Sequence, residues 1–220
     1  MTLRPPRTYN PSMPSRYSIP AVSRHRVEEV IKRSRFIATL THVESVEEAR
    51  EFVSAVKEEF PDATHNCWAY AAGPPGDTAH VGLSDDGEPH GTAGKPMLNT
   101  LLHSNVGEIA SVVTRYFGGT KLGTGGLVRA YSGMVSLGLE SLACKERVET
   151  AKVQIVISYS HVTLFKRMLP EHEATVLEEL FEADASFLVE LPEERIAAFE
   201  EAVVEMTNGE TLFSPLHPPA

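Results

Sequence analysis

VVTRYFGGTKLGTGGLVRAY, residues 112–131, carries an apolar run into Arg115 and two aromatics, then sets Gly118, Gly119, Gly123, Gly125 and Gly126 within nine residues. EIASVVTRYF (108–117) is apolar almost throughout, as a central strand buried on both faces would be. From Leu127 to Cys144 the period is helical, so a strand, a glycine-rich turn and a helix start follow one another. Glycine tolerates positive φ and lets another backbone or a ligand approach closely. A helix N-terminus offers an anion unpaired N–H groups and partial positive charge. Arg115, Lys121 and Arg129 add formal charge if they face one side. The junction predicts a pocket for a phosphate or a nucleic-acid backbone. Close strand–helix packing with the cations solvated fits the spacing equally, because the loop matches neither the Walker A pattern nor GxGxxG.

Upstream, RYSIPAV (16–22) and RFIATLTHV (35–43) read as strands, the second with Phe36, Ala38 and Leu40 on one face. SVEEAREFVSAVKEEFP (45–61) is a helix opened by a Ser45/Glu48 capping box and stopped by Pro61. HNCWAYAAG (65–73) and AHVGLSD (79–85) make a hairpin across GPPGD, and PMLNTLLHSN (96–105) a short helix with Pro96 in its first turn. Downstream come a strand (152–160), a helix (162–169), two strands (175–181 and 186–192), a helix (194–209) and a last strand at TLF (211–213). That βαββαβ order is the ferredoxin-like pattern. An α+β protein follows, with a disordered proline-rich tail over 1–16, a first domain over 17–148 and a second over 149–220.

Composition bounds the function. The chain of 220 residues is 42% hydrophobic and 23% charged, as ordinary globular proteins are. No apolar run approaches the roughly 20 residues of a membrane-spanning helix, so no membrane partner is expected. Cys67 and Cys144 have no CxxC spacing, which points to a reducing cytoplasm. The net charge of −10 is uneven: residues 1–150 hold 16 Lys+Arg against 17 Asp+Glu, and residues 151–220 hold 4 against 13. The near-neutral half could meet a polyanion through local basic clusters; the acidic half could not.

SDDGEPHGTAGKPML (84–98) is the second dense stretch. Asp85-Asp86-Gly87 is turn chemistry. Glu88, His90, Thr92 and Lys95, interleaved with Pro89, Gly91, Gly94 and Pro96, make a rigid polar loop that opens a helix. Its carboxylates, with a His and a Lys, could serve acid–base or Mg²⁺ chemistry, or the loop could be structural. Two such loops in one domain predict a shared cleft. His65 and Cys67 share a strand face but do not make a zinc site, and there is no HExxH or GxSxG. Neither a metal nor a cofactor is expected.

Together these two motifs, with HNCWAY and the acidic C-terminal module, closely resemble the YigZ/IMPACT family over roughly residues 17–213. The resemblance implies a first domain like ribosomal protein S5 domain 2 and a ferredoxin-like second domain similar to the last domain of elongation factor G. It implies translation-linked action; with the two anion-suited loops and the domain analogy, the expectation is a regulatory rather than catalytic protein that contacts RNA or the ribosome, with a translation-factor protein as a further candidate partner. Its signature positions include Asp85, Gly87, Glu88, Pro89, Gly91, Thr92, Ala93, Gly94 and Pro96. In the second motif they are Arg115, Tyr116, Gly118, Gly119, Leu122, Gly123, Gly125, Gly126, Leu127, Arg129, Ala130 and Tyr131. The candidate anion-binding set is Lys95, Arg115, Lys121, Gly123, Gly125, Gly126 and Arg129. Two other readings stand beside it. One is a phosphotransferase-like enzyme using the same glycine-rich loop, with Asp85 or Glu88 on Mg²⁺. The other is a protein-interaction role for the acidic second domain.

Overall fold

The apolar run at 109–116 becomes the middle strand of a five-stranded sheet, as its lack of polar alternation requires. A computed structural model describes residues 15–216; the 1–16 tail falls almost wholly outside them. These residues divide into two compact units between Arg147 and Val148.

The first unit contains β1 (Arg16–Pro20), β2 (His25–Ile31), β3 (Ser34–His42), α1 (Val46–Glu59), β4 (His65–Ala71), β5 (Val81–Ser84), α2 (Gly94–Leu102), β6 (Ile109–Tyr116), α3 (Thr124–Ser141) and all but the last residue of β7 (Cys144–Val148). The sheet order is β2-β3-β6-β4-β5, and every neighbouring pair is antiparallel. β1 and β7 pair separately. Side chains of a strand alternate between faces. One face of β6 (Ile109, Val113) joins Phe36, Leu40, Met97, Leu127, Tyr131 and Met134 in the main core under α2 and α3. The other face (Ala110, Val112) packs with Tyr70, Ala49, Val53 and Val56 under α1. This is the S5 domain 2-like arrangement. At the start of α1, Ser45 Oγ accepts from the Glu48 amide, while the Glu48 carboxylate accepts from Glu44 N–H, one residue before the position a reciprocal capping box uses.

β2 is a strand that the sequence reading did not assign. It forms a hairpin with β3 whose two-residue connection is Lys32-Arg33, at φ 46° and 67°. Such loops are usually Asn-Gly, because both residues need positive φ; an ordinary side chain there costs about 1 kcal/mol each.

The second unit runs β8 (Thr150–Ile157), α4 (Val162–Met168), β9 (Thr175–Phe181), β10 (Ala185–Pro192), α5 (Ile196–Met206) and β11 (Thr211–Leu216). Its sheet order, β11-β8-β10-β9, places the first and third strands centrally, which makes it ferredoxin-like. Val153, Ile155 and Ile157 pack with Phe187, Val189, Phe165, Phe199 and Val203 beneath the helices. The molecule is an α+β protein of two domains.

Candidate functional site

Strand register assembles a polar cluster at one end of the first sheet. Arg115 stands opposite Phe36 on β3 and His65 on β4. All three face α2 and α3, at the edge of the core. The Arg115 side chain is only 6% exposed, and its Nη1 donates to Glu88 Oε1 at 2.5 Å; Glu88 is 3% exposed. Tyr131 O–H, from α3, donates to the same oxygen at 2.8 Å. His65 Nε2 lies 3.9 Å from Glu88 Oε2. The guanidinium rests against the rings of Phe36 and Phe117, 5.4 and 5.5 Å from their centroids. Ser34 Oγ accepts from Arg115 Nη2 and from Gly118 N–H, both at 3.3 Å. The buried Arg115 Nε has no hydrogen-bond partner among the described residues. The two motifs are thus joined by a buried ion pair. Arg115 is an internal clamp and does not stand beside exposed cations, because its charge is needed to hold Glu88 out of water.

The first loop closes over its own amides. Asp85 accepts from Gly91 N–H at 2.7 Å, Gly94 N–H at 2.9 Å and Ala93 N–H at 3.0 Å. Burial alone would raise its pKa, but these three bonds, with His90 nearby, hold the carboxyl below the usual range. The start of α2 is therefore filled by a carboxylate of the chain. Asp86 is held by Lys57 and the Asn66 amide, and Thr92 donates to the Pro89 carbonyl. Cys67 donates to the Asp85 carbonyl, and burial pushes its thiol up to about 12, an inert structural cysteine. Lys95 is exposed beside amides that are already occupied.

The second loop is built differently. A Cβ on Gly118 would lie 1.8 Å from the Arg33 carbonyl oxygen, so only glycine seats the turn against the β2–β3 hairpin. Gly123, the residue before α3, has φ 75° and offers no side chain to cap the helix; no acidic residue occupies its first turn. Its first amides have no intrahelical partner. The Arg129 guanidinium folds back over that turn, its Nη1 3.8 Å from where a Cβ on Gly125 would stand. Lys121, Thr124, Gly125 and Arg129 are exposed, and Gly119 and Gly126 border them. Tyr116, at the end of β6, donates to Asp62 and stacks under Arg35. The candidate residues thus fall into two groups. Lys121, Gly123, Gly125, Gly126 and Arg129 come together at α3. Arg115, Asp85 and Glu88 serve the interior.

Residues 32–139 match the Impact N-terminal domain, and residues 155–210 match a domain of unknown function, DUF1949. An IMPACT family member of Haemophilus influenzae is 43% identical over 83% of this chain and 88% of its own length. The chain belongs to the IMPACT family. The family member YigZ of Escherichia coli is 42% identical over 87% of this chain and 93% of that protein. YvyE of Bacillus subtilis is 37% identical over 90% and 89%. A crystal structure of a hypothetical protein, 39% identical, superposes with a TM-score of 0.63 over 93% of this chain and 98% of that one. Among the described residues of this IMPACT family chain, no helix is long and apolar enough to cross a membrane.

One group escaped the sequence reading. His42, Glu44 and Glu108 bring ligand atoms within 4.8 Å of one another, and Glu108 is fully buried at φ 52°. Arg147 sits among them, 3.2 Å from Glu44 and 3.5 Å from Glu108, and Tyr17 O–H donates to Glu108 at 3.1 Å. With an arginine already in place, the group works as an ion-pair network. Its members are 66 or more residues apart in the pairs His42–Glu108 and Tyr17–Glu108, and no local motif announces them.

Proposed function

We propose that this protein is a translation-associated binding protein that grips an RNA phosphate backbone, free or on the ribosome, through the start of α3, in a regulatory rather than catalytic role. The observation that carries this reading is the uncapped first turn of α3, free of acidic residues, with exposed Lys121 beside it and the Arg129 guanidinium folded over Gly125. Bare amides, a helix dipole and two formal charges favour an anion together. The α2 start is not part of the surface, because Asp85 satisfies its amides. A phosphotransferase role gains no support: both carboxylates that would hold Mg²⁺, Asp85 and Glu88, are committed to amides and to Arg115. The cytoplasm and a translation-factor partner fit the same reading, by analogy of domains.

Binding to ribosomal RNA or transfer RNA should weaken steeply as salt rises. Lys121→Ala/Arg129→Ala should lower the log–log slope by about 1.4–1.8, since each phosphate contact contributes about 0.7–0.9. Fluorescence anisotropy across a salt series measures it. If neither RNA nor ribosomes bind in a salt-sensitive way, the reading is wrong.

A further inference from the structure

The surface at α3 has a second arm. Lys32 and Arg33 form the tip of the β2–β3 hairpin, both exposed, with no ion pair or hydrogen bond from either side chain among the described residues. The tip is docked on the glycine-rich turn. Gly118 abuts the Arg33 carbonyl and Cβ so closely that any side chain at 118 would collide with it. Ser34, next to the tip, accepts from the Gly118 amide. Lys121 follows three residues later, so its backbone lies within about 11 Å of Gly118. Val27 and Ile31 of β2 pack on the core that includes Leu127 and Tyr131 of α3. Of the two carboxylates on β2, Glu28 is held by Arg35 through two bonds. One end of the unit therefore presents Lys32, Arg33, Lys121 and Arg129 around one glycine-rich turn.

We infer that the Lys32-Arg33 tip is a second phosphate-contacting arm of the α3 surface, and that the ligand is a polymer, an RNA strand, rather than a mononucleotide. The inference rests on the reading above and adds to it. A single phosphate can occupy the first turn of α3, where Arg129 already reaches. It gives no role to two further cations on a separate hairpin. A phosphodiester backbone repeats its charge at intervals and meets both arms, each cation releasing its share of counterions. The turn geometry would be met better by Asn-Gly, so the basic pair brings charge to the tip and no conformational benefit.

Lys32→Asn/Arg33→Gly tests this in the full chain, because it removes both charges while supplying the residues that a type I′ turn prefers. Its thermal midpoint should equal or exceed that of the parent, which separates loss of contact from loss of fold. With a labelled ribosomal RNA fragment, the variant should lose about 1.4–1.8 from the log–log salt slope. Arg167→Ala, in the second unit, should lose nothing. Millimolar AMP should fail to displace the RNA. An unchanged slope in the hairpin variant, alongside a reduced one in Lys121→Ala/Arg129→Ala, overturns the second arm and leaves the α3 surface standing. Full displacement by AMP overturns the polymer assignment. Absence of salt-dependent binding by the parent chain overturns both.

Discussion

Arg115→Ala is expected to destabilise the first domain by about 3–5 kcal/mol, a large fraction of what holds such a domain together. The loss does not come from the value of one ion pair, since a buried pair roughly repays its own desolvation. It comes from leaving the Glu88 carboxylate, 3% exposed, with only Tyr131 and a distant His65. Packing against Phe36 and Phe117 is lost as well. Glu88→Gln/Arg115→Met removes both charges and keeps the volume, so it should be more stable than Arg115→Ala alone. Trp68 is the single tryptophan and lies on β4 of the first unit, so its fluorescence in a urea titration follows this unit. Equal stability of Arg115→Ala and the parent would show that Arg115 is a solvated cation after all.

Asp85→Ala is expected to cost about 3 kcal/mol at neutral pH. It strips three amides of a charged acceptor at once, each such bond being worth roughly 1.5–3 kcal/mol before relaxation and water repay part of it. The pH dependence has a definite sign. The folded-state pKa of Asp85 lies below its unfolded value, so its contribution is fully present above the ordinary carboxylate pKa of about 3.9. It disappears as pH falls through the lower, folded-state value. The stability gap between parent and variant should therefore be constant from about pH 5 to 7 and close below about pH 4. A gap that widened with acid would contradict the cap.

Much of this architecture is legible in the chain. The largely apolar run at 109–116, with no polar alternation, reads as a strand covered on both faces, and helices lie on both. The switching of period from two to 3.6 after residue 150 gives the ferredoxin-like order directly. What resists reading is set by long-range pairing. His25–Ile31 is an edge strand with Glu28-Glu29 breaking its alternation, and its turn is Lys32-Arg33, with neither glycine nor asparagine to mark it. Cys144–Val148 is short and polar and is a strand only because β1 pairs with it. At the candidate site, an arginine followed by glycines reads as a ligand for something outside. Its partner is Glu88, 27 residues away, and only the β3–β6–β4 register and the α3 packing bring them together. Asp85 reads as turn chemistry; that its carboxylate swings onto the amides of α2 depends on a loop closure that spacing does not encode. Lys121, Gly125 and Arg129 lie near one another in sequence, so one local helix start suffices to gather them.

Backbone amides at the start of α3 are open to a negatively charged ligand, and those at the start of α2 are filled. Amide chemical shifts of the isotope-labelled protein, followed during titration with a ribosomal RNA fragment, report on this difference residue by residue. Thr124, Gly125 and Gly126 should move most, while Gly91, Ala93 and Gly94 stay in place under the Asp85 carboxylate. Movement concentrated at residues 91–94, or confined to the acidic second domain, would contradict it.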